Sequence, residues 1–238
     1  MTNTVVHVLR HGEVFNPEGV LYGRMPGYHL SELGVRMAER IAGVLENEDI
    51  VHVVASPLER AQETARPLAA VKGLDIHTEP RVIESGNWFE GKKFGVGDNA
   101  LKHPSSWLKL WNPLRPSWGE PYKEVAARMW AAIDDAREAA AGHEAVIVSH
   151  QLPIWIARLA AEGRSFVHDP RKRECTLASL TSFHFEEHED GEHGGEAHAH
   201  LVDITYREPA IDLVPVKHRK DVFSAGGSDD EDRPEPSH

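Results

Sequence analysis

Residues 4–13 of the chain read Thr-Val-Val-His-Val-Leu-Arg-His-Gly-Glu, a β-branched, apolar run that ends in a charged turn. A run of this length is typical of a buried strand, so we predict a strand over 4–9. Residues 50–55 and 145–148 predict two similar strands, and segments with helical spacing of apolar residues lie between them. The alternation of strands and helices predicts an α/β fold, a three-layer sandwich with a mostly parallel central sheet and helices on both faces.

Capping residues and apolar spacing predict the other elements. Ser31 is the predicted N-cap of a helix that continues to about Glu46, and Ser56-Pro57-Leu58-Glu59 predicts a capping box with Pro at the first helical position. The remaining predicted elements are helices over 121–141 and 153–161, a short strand over 74–78, and an antiparallel pair of strands over 177–185 and 201–206.

We predict one domain over residues 1–223. Residues 84–120 hold four of the six tryptophans and have no clear period, which indicates a segment that covers a site. Residues 186–200 are rich in His, Glu and Gly and are predicted as a long hairpin loop, and residues 224–238 as a disordered acidic tail. The histidines of the predicted loop match no zinc motif, so no metal site is predicted.

Composition limits the class of partner. The net charge is −12, carried mostly by the segments 186–196 and 224–238, which argues against nucleic acid and favours a small substrate. The chain has one cysteine, Cys175, so it forms no internal disulfide, as is usual in a reducing compartment. There is no signal-peptide pattern at the N-terminus and no apolar run of ~20 residues, so we expect a cytoplasmic protein that does not enter the membrane. The sequence does not define the oligomeric state.

Two arginines and two histidines follow the predicted parallel strands. Arg10 and His11 follow the first, Arg60 lies in the first turn of the helix after the second, and His150 follows the strand over 145–148. Because ligands bind at the carboxyl ends of such strands, we expect these side chains to gather at one edge of the sheet. Arginine binds phosphate bidentately and stays charged, and a neutral imidazole can attack phosphorus. The pattern predicts a phosphoryl site with a histidine nucleophile.

Phosphoryl transfer to a histidine also needs a carboxylic acid. This acid protonates the leaving oxygen and afterwards activates water. The candidates on nearby loops are Glu13, Glu84 and Glu90. His7, in contrast, alternates with core residues in the first strand and is predicted to be a packed, hydrogen-bonded histidine.

The motifs around these residues resemble a known family. Leu9-Arg10-His11-Gly12-Glu13 resembles the signature of the histidine phosphatase superfamily, which includes the cofactor-dependent phosphoglycerate mutases. Residues 56–65 resemble that family's second arginine motif, and Gly119-Glu120 and residues 146–150 resemble its C-terminal motifs. The motifs occur in the family's order over roughly residues 4–206.

The resemblance implies a phosphoglycerate mutase-like fold, a phosphohistidine intermediate at His11, and phosphate held by Arg10, Arg60 and His150. It implies no metal or organic cofactor. By the same resemblance, Asn16 is expected to add a contact to the substrate, and Gly23 and Gln151 are the other predicted substrate-binding residues.

Three departures from the family pattern bear on function. Residues 84–91 are similar to the family's acid followed by Trp-Glu-Gly but are one residue tighter; we assign Glu84 as the general acid/base and Glu90 as structural. Gln151 replaces the usual glycine and could touch the substrate. A basic motif by which mutases hold phosphoglycerate is absent, which favours a phosphomonoester hydrolase. A mutase-type phosphotransferase and a non-catalytic phospholigand-binding module are the alternatives.

Overall fold

The computed structural model describes residues 2–86, 90–91, 119–169, 172–188 and 198–214. The strands are β1 (Thr2–Arg10), β2 (Ile50–Ala55), β3 (Ile76–Thr78), β4 (Glu144–Ser149), β5 (Leu180–His188) and β6 (His198–Arg207). The helices are α1 (Glu32–Val44), α2 (Glu59–Lys72), α3 (Tyr122–Ala139) and α4 (Gln151–Ala161), with 3-10 turns at Pro80–Val82 and Ile211–Leu213. None of the described helices combines the length and apolar character needed to cross a bilayer.

The six strands form one sheet in the order β3-β2-β4-β1-β5-β6. The first four strands in this order are parallel, whereas β5 pairs antiparallel with β1 and β6 antiparallel with β5. This arrangement confirms the predicted mostly parallel sheet. In the register of the sheet, Arg10 lies opposite Ser149 and Ala55 opposite Val148, so β1, β2 and β4 end at one edge.

Helices cover both faces of the sheet, which confirms the three-layer architecture. Leu9 of β1 belongs to a core cluster with Met37 and Ile41 of α1 and with Leu68 of α2. The opposite core cluster contains Val6 and Val8 of β1 and, from α3 and α4, Met129, Ile133 and Ile154. Each such side chain contributes about 1.5–3 kcal/mol on burial, so the apolar alternation along β1 fixes the strand between the two helical layers.

Two local predictions are confirmed by hydrogen bonds. Ser31 caps α1, because its Oγ accepts from the Gly34 N–H at 3.0 Å. His7 is a packed core histidine, with Nδ1 2.7 Å from Ser182 Oγ and Nε2 2.8 Å from Glu144 Oε2.

The predicted capping box at the start of α2 is wrong. The helix begins at Glu59, with Leu58 at the N-cap position and no side-chain cap bond. Ser56 Oγ lies instead 2.8 Å from His150 Nε2, and Glu59 Oε1 accepts from Gly27 N–H at 3.1 Å. The buried imidazole takes the hydroxyl as its partner, since an unpaired buried nitrogen is costly.

The predicted hairpin loop over 186–200 is wrong at both ends. Residues 186–188 belong to β5 and residues 198–200 to β6, where Glu186 pairs with His200. The strand predicted from residue 177 begins only at Leu180, because Ala178 adopts a positive φ of 52° that is incompatible with extended backbone.

Other sequence predictions fall largely outside the described residues. These are the middle of the hairpin loop at 189–197, the covering segment over 84–120 apart from 84–86, 90–91 and 119–120, and the acidic tail over 224–238.

Candidate active site

The residues that follow β1, β2 and β4 meet around a cavity of about 110 Å³. Arg10, His11, Gly23, Glu84 and Gln151 are the predicted site residues that line it. Arg60 and His150 are fully buried behind this wall, and the His150 ring centroid lies 5.1 Å from that of His11. The structure therefore brings seven of the predicted residues together at the carboxyl edge of the sheet.

The His11 imidazole has a defined tautomer. Its Nδ1 lies 2.7 Å from the carbonyl oxygen of Gly12. Because a carbonyl can only accept, Nδ1 carries the hydrogen, and the neutral ring keeps its lone pair on Nε2. Burial, together with the charges of Arg60 and Arg10, holds the pKa of His11 well below its usual range. The ring is thus neutral at physiological pH, as a nucleophile requires.

The turn after His11 is pressed against the start of α1. A Cβ at Gly12 would lie 2.7 Å from the carbonyl oxygen of Gly34, so only glycine fits this close approach. The Gly12 N–H also donates to Thr64 Oγ1 of α2 at 3.1 Å. Both helices therefore fix the backbone that holds the imidazole.

Two arginines supply positive charge to the site. Arg60 Nη2 donates to the Gly23 carbonyl at 2.6 Å, and its guanidinium lies 4.7 Å from the centre of the Tyr22 ring. Within the described ranges, Nε and Nη1 of Arg60 have no hydrogen-bond partner, and burial lowers the pKa of the group. Arg10 Nη1 donates to the Cys175 carbonyl at 2.6 Å. Two buried guanidinium groups beside the nucleophile favour a dianion such as a phosphoryl group.

The second histidine offers a hydrogen-bonding nitrogen. His150 Nε2 is bound to Ser56 Oγ, while Nδ1 is buried without a partner in the described part of the chain. When the hydroxyl donates to Nε2, the neutral ring carries its hydrogen on Nδ1. Burial, Arg60 and His11 lower the pKa of His150, which favours the neutral form of this imidazole as well.

Glu84 is the candidate acid that the structure places on the cavity wall. Burial raises its pKa, so this carboxyl retains its proton to a higher pH than an exposed glutamate. Its Oε1 accepts from the Ser85 N–H at 2.8 Å, and its carbonyl accepts from Arg24 Nε at 2.6 Å. The other two candidates do not line the cavity: Glu13 accepts from Ser31 Oγ, and Glu90 lies against Gly23.

Asn16 is placed differently from the other predicted site residues. Its side-chain amide donates to the Val20 carbonyl at 2.9 Å and accepts from the Val20 N–H at 3.1 Å, and it is not among the described residues that line the cavity. In this structure its side chain closes the loop that leads to Tyr22 and Gly23.

Sequence reasoning missed several side chains on the cavity wall, among them Tyr122 and Arg173. Tyr122 begins α3, and Arg173 follows two other basic residues before β5. The run of three basic residues could have indicated an anion-binding segment, but it does not show which of the three side chains points toward the cavity. Glu120, also on the wall, is paired with Arg24 at 2.8 Å and with Arg128 at 2.8 Å, so its charge is compensated.

The described residues hold no group of three or more His, Cys, Asp or Glu side chains that could bind a metal ion.

An α/β sandwich with paired histidines and arginines at the carboxyl edge defines a class of phosphoryl-binding proteins. The model of the histidine phosphatase superfamily (branch 1) matches residues 6–192, and the chain belongs to that family. Its relatives include the Mycobacterium tuberculosis (strain ATCC 25618 / H37Rv) protein named "Uncharacterized protein Rv0525", 53% identical over 207 residues, which are 87% of this chain and 97% of that protein.

A second relative is named a probable phosphoglycerate mutase, GpmB, of Yersinia pestis (strain Pestoides F). It is 31% identical over 184 residues, which are 74% of this chain and 83% of the relative. Among solved structures, mycobacterial glucosyl-3-phosphoglycerate phosphatase Rv2419c superposes with a TM-score of 0.63 at 24% identity, over 77% of this chain and 91% of that one. This likeness confirms the phosphoglycerate mutase-like fold.

Proposed function

We propose that this protein is a metal-independent phosphomonoester hydrolase that forms a phosphohistidine at His11. The observation that carries the proposal is the neutral His11 imidazole, buried with two arginines and fixed through Nδ1, which leaves Nε2 as the nucleophile. Arg10 and His11 on the cavity wall favour a small phosphorylated substrate, and a cytoplasmic location agrees with the single cysteine.

In the first step, His11 Nε2 forms a bond to phosphorus while the bond from phosphorus to the leaving oxygen breaks. Protonated Glu84 gives its proton to that oxygen, so an alcohol departs. Arg10, Arg60 and the Nδ1–H of His150 donate to the phosphoryl oxygens, where negative charge is spread in the transition state. Gly23 and Gln151 would contact the substrate from the cavity wall, and Asn16 would do so if its loop rearranges.

In the second step, water attacks phosphorus. The Glu84 carboxylate takes a proton from this water, the bond between His11 and phosphorus breaks, and inorganic phosphate leaves. The cycle returns His11 to its neutral form and Glu84 to its protonated form. The raised pKa of Glu84 supports both roles, because a carboxyl with a pKa nearer neutrality can give and take a proton.

Hydrolysis of an aryl phosphate in the presence of EDTA tests the proposal, with His11→Ala and His143→Ala compared with wild type. His143 is exposed and pairs with Asp49, away from the cavity, so it is a matched control. We expect turnover to be lost only in the His11 variant, and radioactive phosphate to be trapped in acid-labile form on wild type. Full activity of His11→Ala would refute the phosphohistidine mechanism.

A mutase-type phosphotransferase is the second candidate, favoured by the 31% identity to the probable phosphoglycerate mutase. It would use the same His11 chemistry but return the phosphoryl group to the substrate. Interconversion of 2- and 3-phosphoglycerate that depends on a bisphosphate primer would select it. A non-catalytic binding module has less support, because Glu84 lines the same cavity as His11.

A further inference from the structure

Arg173 lies on the segment between α4 and β5 and reaches the cavity from the side of Tyr122 and Glu84. Its Nε donates to His168 Nε2 at 2.8 Å. His168 Nδ1 lies 2.7 Å from the Phe166 carbonyl, which can only accept, so Nδ1 carries the hydrogen and Nε2 is the acceptor. These two hydrogen bonds orient the guanidinium of Arg173.

Arg173 forms no hydrogen bond or ion pair with an acidic side chain among the described residues, and Glu84 is the nearby acid whose charge acts on it. The terminal amino groups of Arg173 form no hydrogen bond or ion pair there, in contrast to Arg24 and Arg128, which both bind Glu120. Burial lowers the pKa of Arg173, and burial of Glu84 favours that neighbour's neutral form. Arg173 is half-buried on the wall of the cavity that His11 and Glu84 also line, so its terminal amino groups are available to an anionic group of a bound ligand.

The residues that follow Arg173 are anchored by contacts to other elements. Glu174 forms an ion pair with Arg158 at 2.9 Å, and the Thr176 N–H donates to Tyr206 Oη at 3.0 Å. The carbonyl between them, on Cys175, accepts from Arg10 of the phosphoryl site. The positions of Arg173 and of the phosphoryl site are therefore tied together by covalent chain and hydrogen bonds.

We propose that Arg173 binds a second anionic group, a carboxylate or a second phosphate, on the leaving group of the substrate. The inference rests on the proposed function, because it places the leaving oxygen at Glu84 and hence the remainder of the substrate toward Arg173. The planar guanidinium presents its two terminal amino groups to two oxygens at once, as carboxylate and phosphate require. Arg173 is then a specificity-determining residue of this chain.

Matched substrates test the proposal. 3-Phosphoglycerate and glycerol 3-phosphate differ by a carboxylate, and 1,3-propanediol bisphosphate differs from its monophosphate by the second phosphate. We expect wild type to prefer, in at least one pair, the compound that carries the second anionic group. In Arg173→Gln, kcat/KM for that compound should fall about 10- to 100-fold, mainly through KM, as expected for a lost charge-assisted contact. The compound with only one phosphate should change less than about threefold. The pair that responds identifies the anion.

Lys172→Gln is the control, because Lys172 is the exposed neighbour, carries the same charge and does not line the cavity. Its selectivity should match wild type, and inhibition by inorganic phosphate, which occupies only the phosphoryl site, should be the same in all three proteins. An equal loss for both members of each pair, an equal effect of Lys172→Gln, or no preference in wild type would overturn the proposal.

Failure of the proposed hydrolase can be told apart from failure of the Arg173 proposal. If wild type turns over none of the substrates, calorimetry can compare the binding of 3-phosphoglycerate and of 1,3-propanediol bisphosphate with that of their singly phosphorylated counterparts, to wild type and to Arg173→Gln. The role of Arg173 is supported without catalysis if wild type binds the compound with the second anionic group more tightly and the variant does not. Equal binding of both members of each pair contradicts it.

Discussion

Substitution of Gly34 by alanine should destabilise the protein and impair the site, although alanine favours helices. Gly34 is the third residue of α1 and lies against the turn that follows His11. A Cβ on Gly34 would lie 3.0 Å from both the carbonyl carbon and the amide nitrogen of Glu13, and closer still to its carbonyl oxygen. All three are backbone atoms, so no flexible side chain can move aside.

The expected magnitude follows from two opposing contributions. Replacing glycine by alanine within a helix stabilises by up to about 1 kcal/mol. Overpacking against a fixed backbone costs about 1–3 kcal/mol, and the close backbone contact places Gly34 at the upper end. We therefore expect Gly34→Ala to lose about 1–2 kcal/mol of unfolding free energy. A displacement of the turn by about 1 Å would also lower kcat by about 100-fold.

Gly43 in the same helix is the matched control. It is exposed, and a Cβ there would meet no described atom within 4 Å, so Gly43→Ala should be neutral or stabilising by up to about 1 kcal/mol. Urea unfolding should separate the two variants by about 1–3 kcal/mol, and thermal unfolding by roughly 2–12 °C. If Gly34→Ala is as stable and as active as Gly43→Ala, the close packing of α1 on the His11 turn is not what holds the nucleophile.

Two other predictions concern the charged states of the site. Glu84→Gln should lower kcat about 10²- to 10⁴-fold on alkyl phosphates but much less on 2,4-dinitrophenyl phosphate, whose leaving group needs no proton; equal losses across leaving groups would contradict its role as the acid. The folded-state pKa of His11 and of His150 is lowered, so between about pH 6.5 and those lower values the unfolded chain binds protons that the folded chain does not. Stability should therefore fall as pH decreases below about 6.5, with a contribution of about 1.4 kcal/mol per pH unit from each histidine, and His11→Gln should show a shallower slope in urea titrations than wild type.

The sequence predicted those parts of the site whose signals are local. Arg10, His11 and His150 each lie within two residues of the end of an apolar, β-branched run. The carboxyl ends of parallel strands lie at the same edge of a sheet, so these side chains are expected to meet. Glu84 was assigned from its place in a motif, and the structure brings it to the same cavity although the motif is one residue shorter than usual.

The missed features depend on partners distant in the chain. Ser56 matches a helix cap in its own neighbourhood, but the histidine that takes its hydroxyl lies 94 residues later. Arg173 has no local pattern that directs it inward, and its position depends on Arg158 and Tyr206 through the residues beside it. Residues 186–188 and 198–200 have a loop-like composition, yet cross-strand pairing keeps them extended.

The central position of β1 has a consequence for synthesis of the chain. In the described sheet β1 pairs with β4 and β5, so its backbone groups and apolar side chains gain strand partners only after residue 144 has been made. At about 5–20 residues per second, translation takes roughly 7–27 s to cover that interval. During this time β1 has neither of its strand partners, and an unpaired apolar strand is prone to aggregation. His11 is thus translated early, but its catalytic surroundings are assembled only when the C-terminal third has emerged.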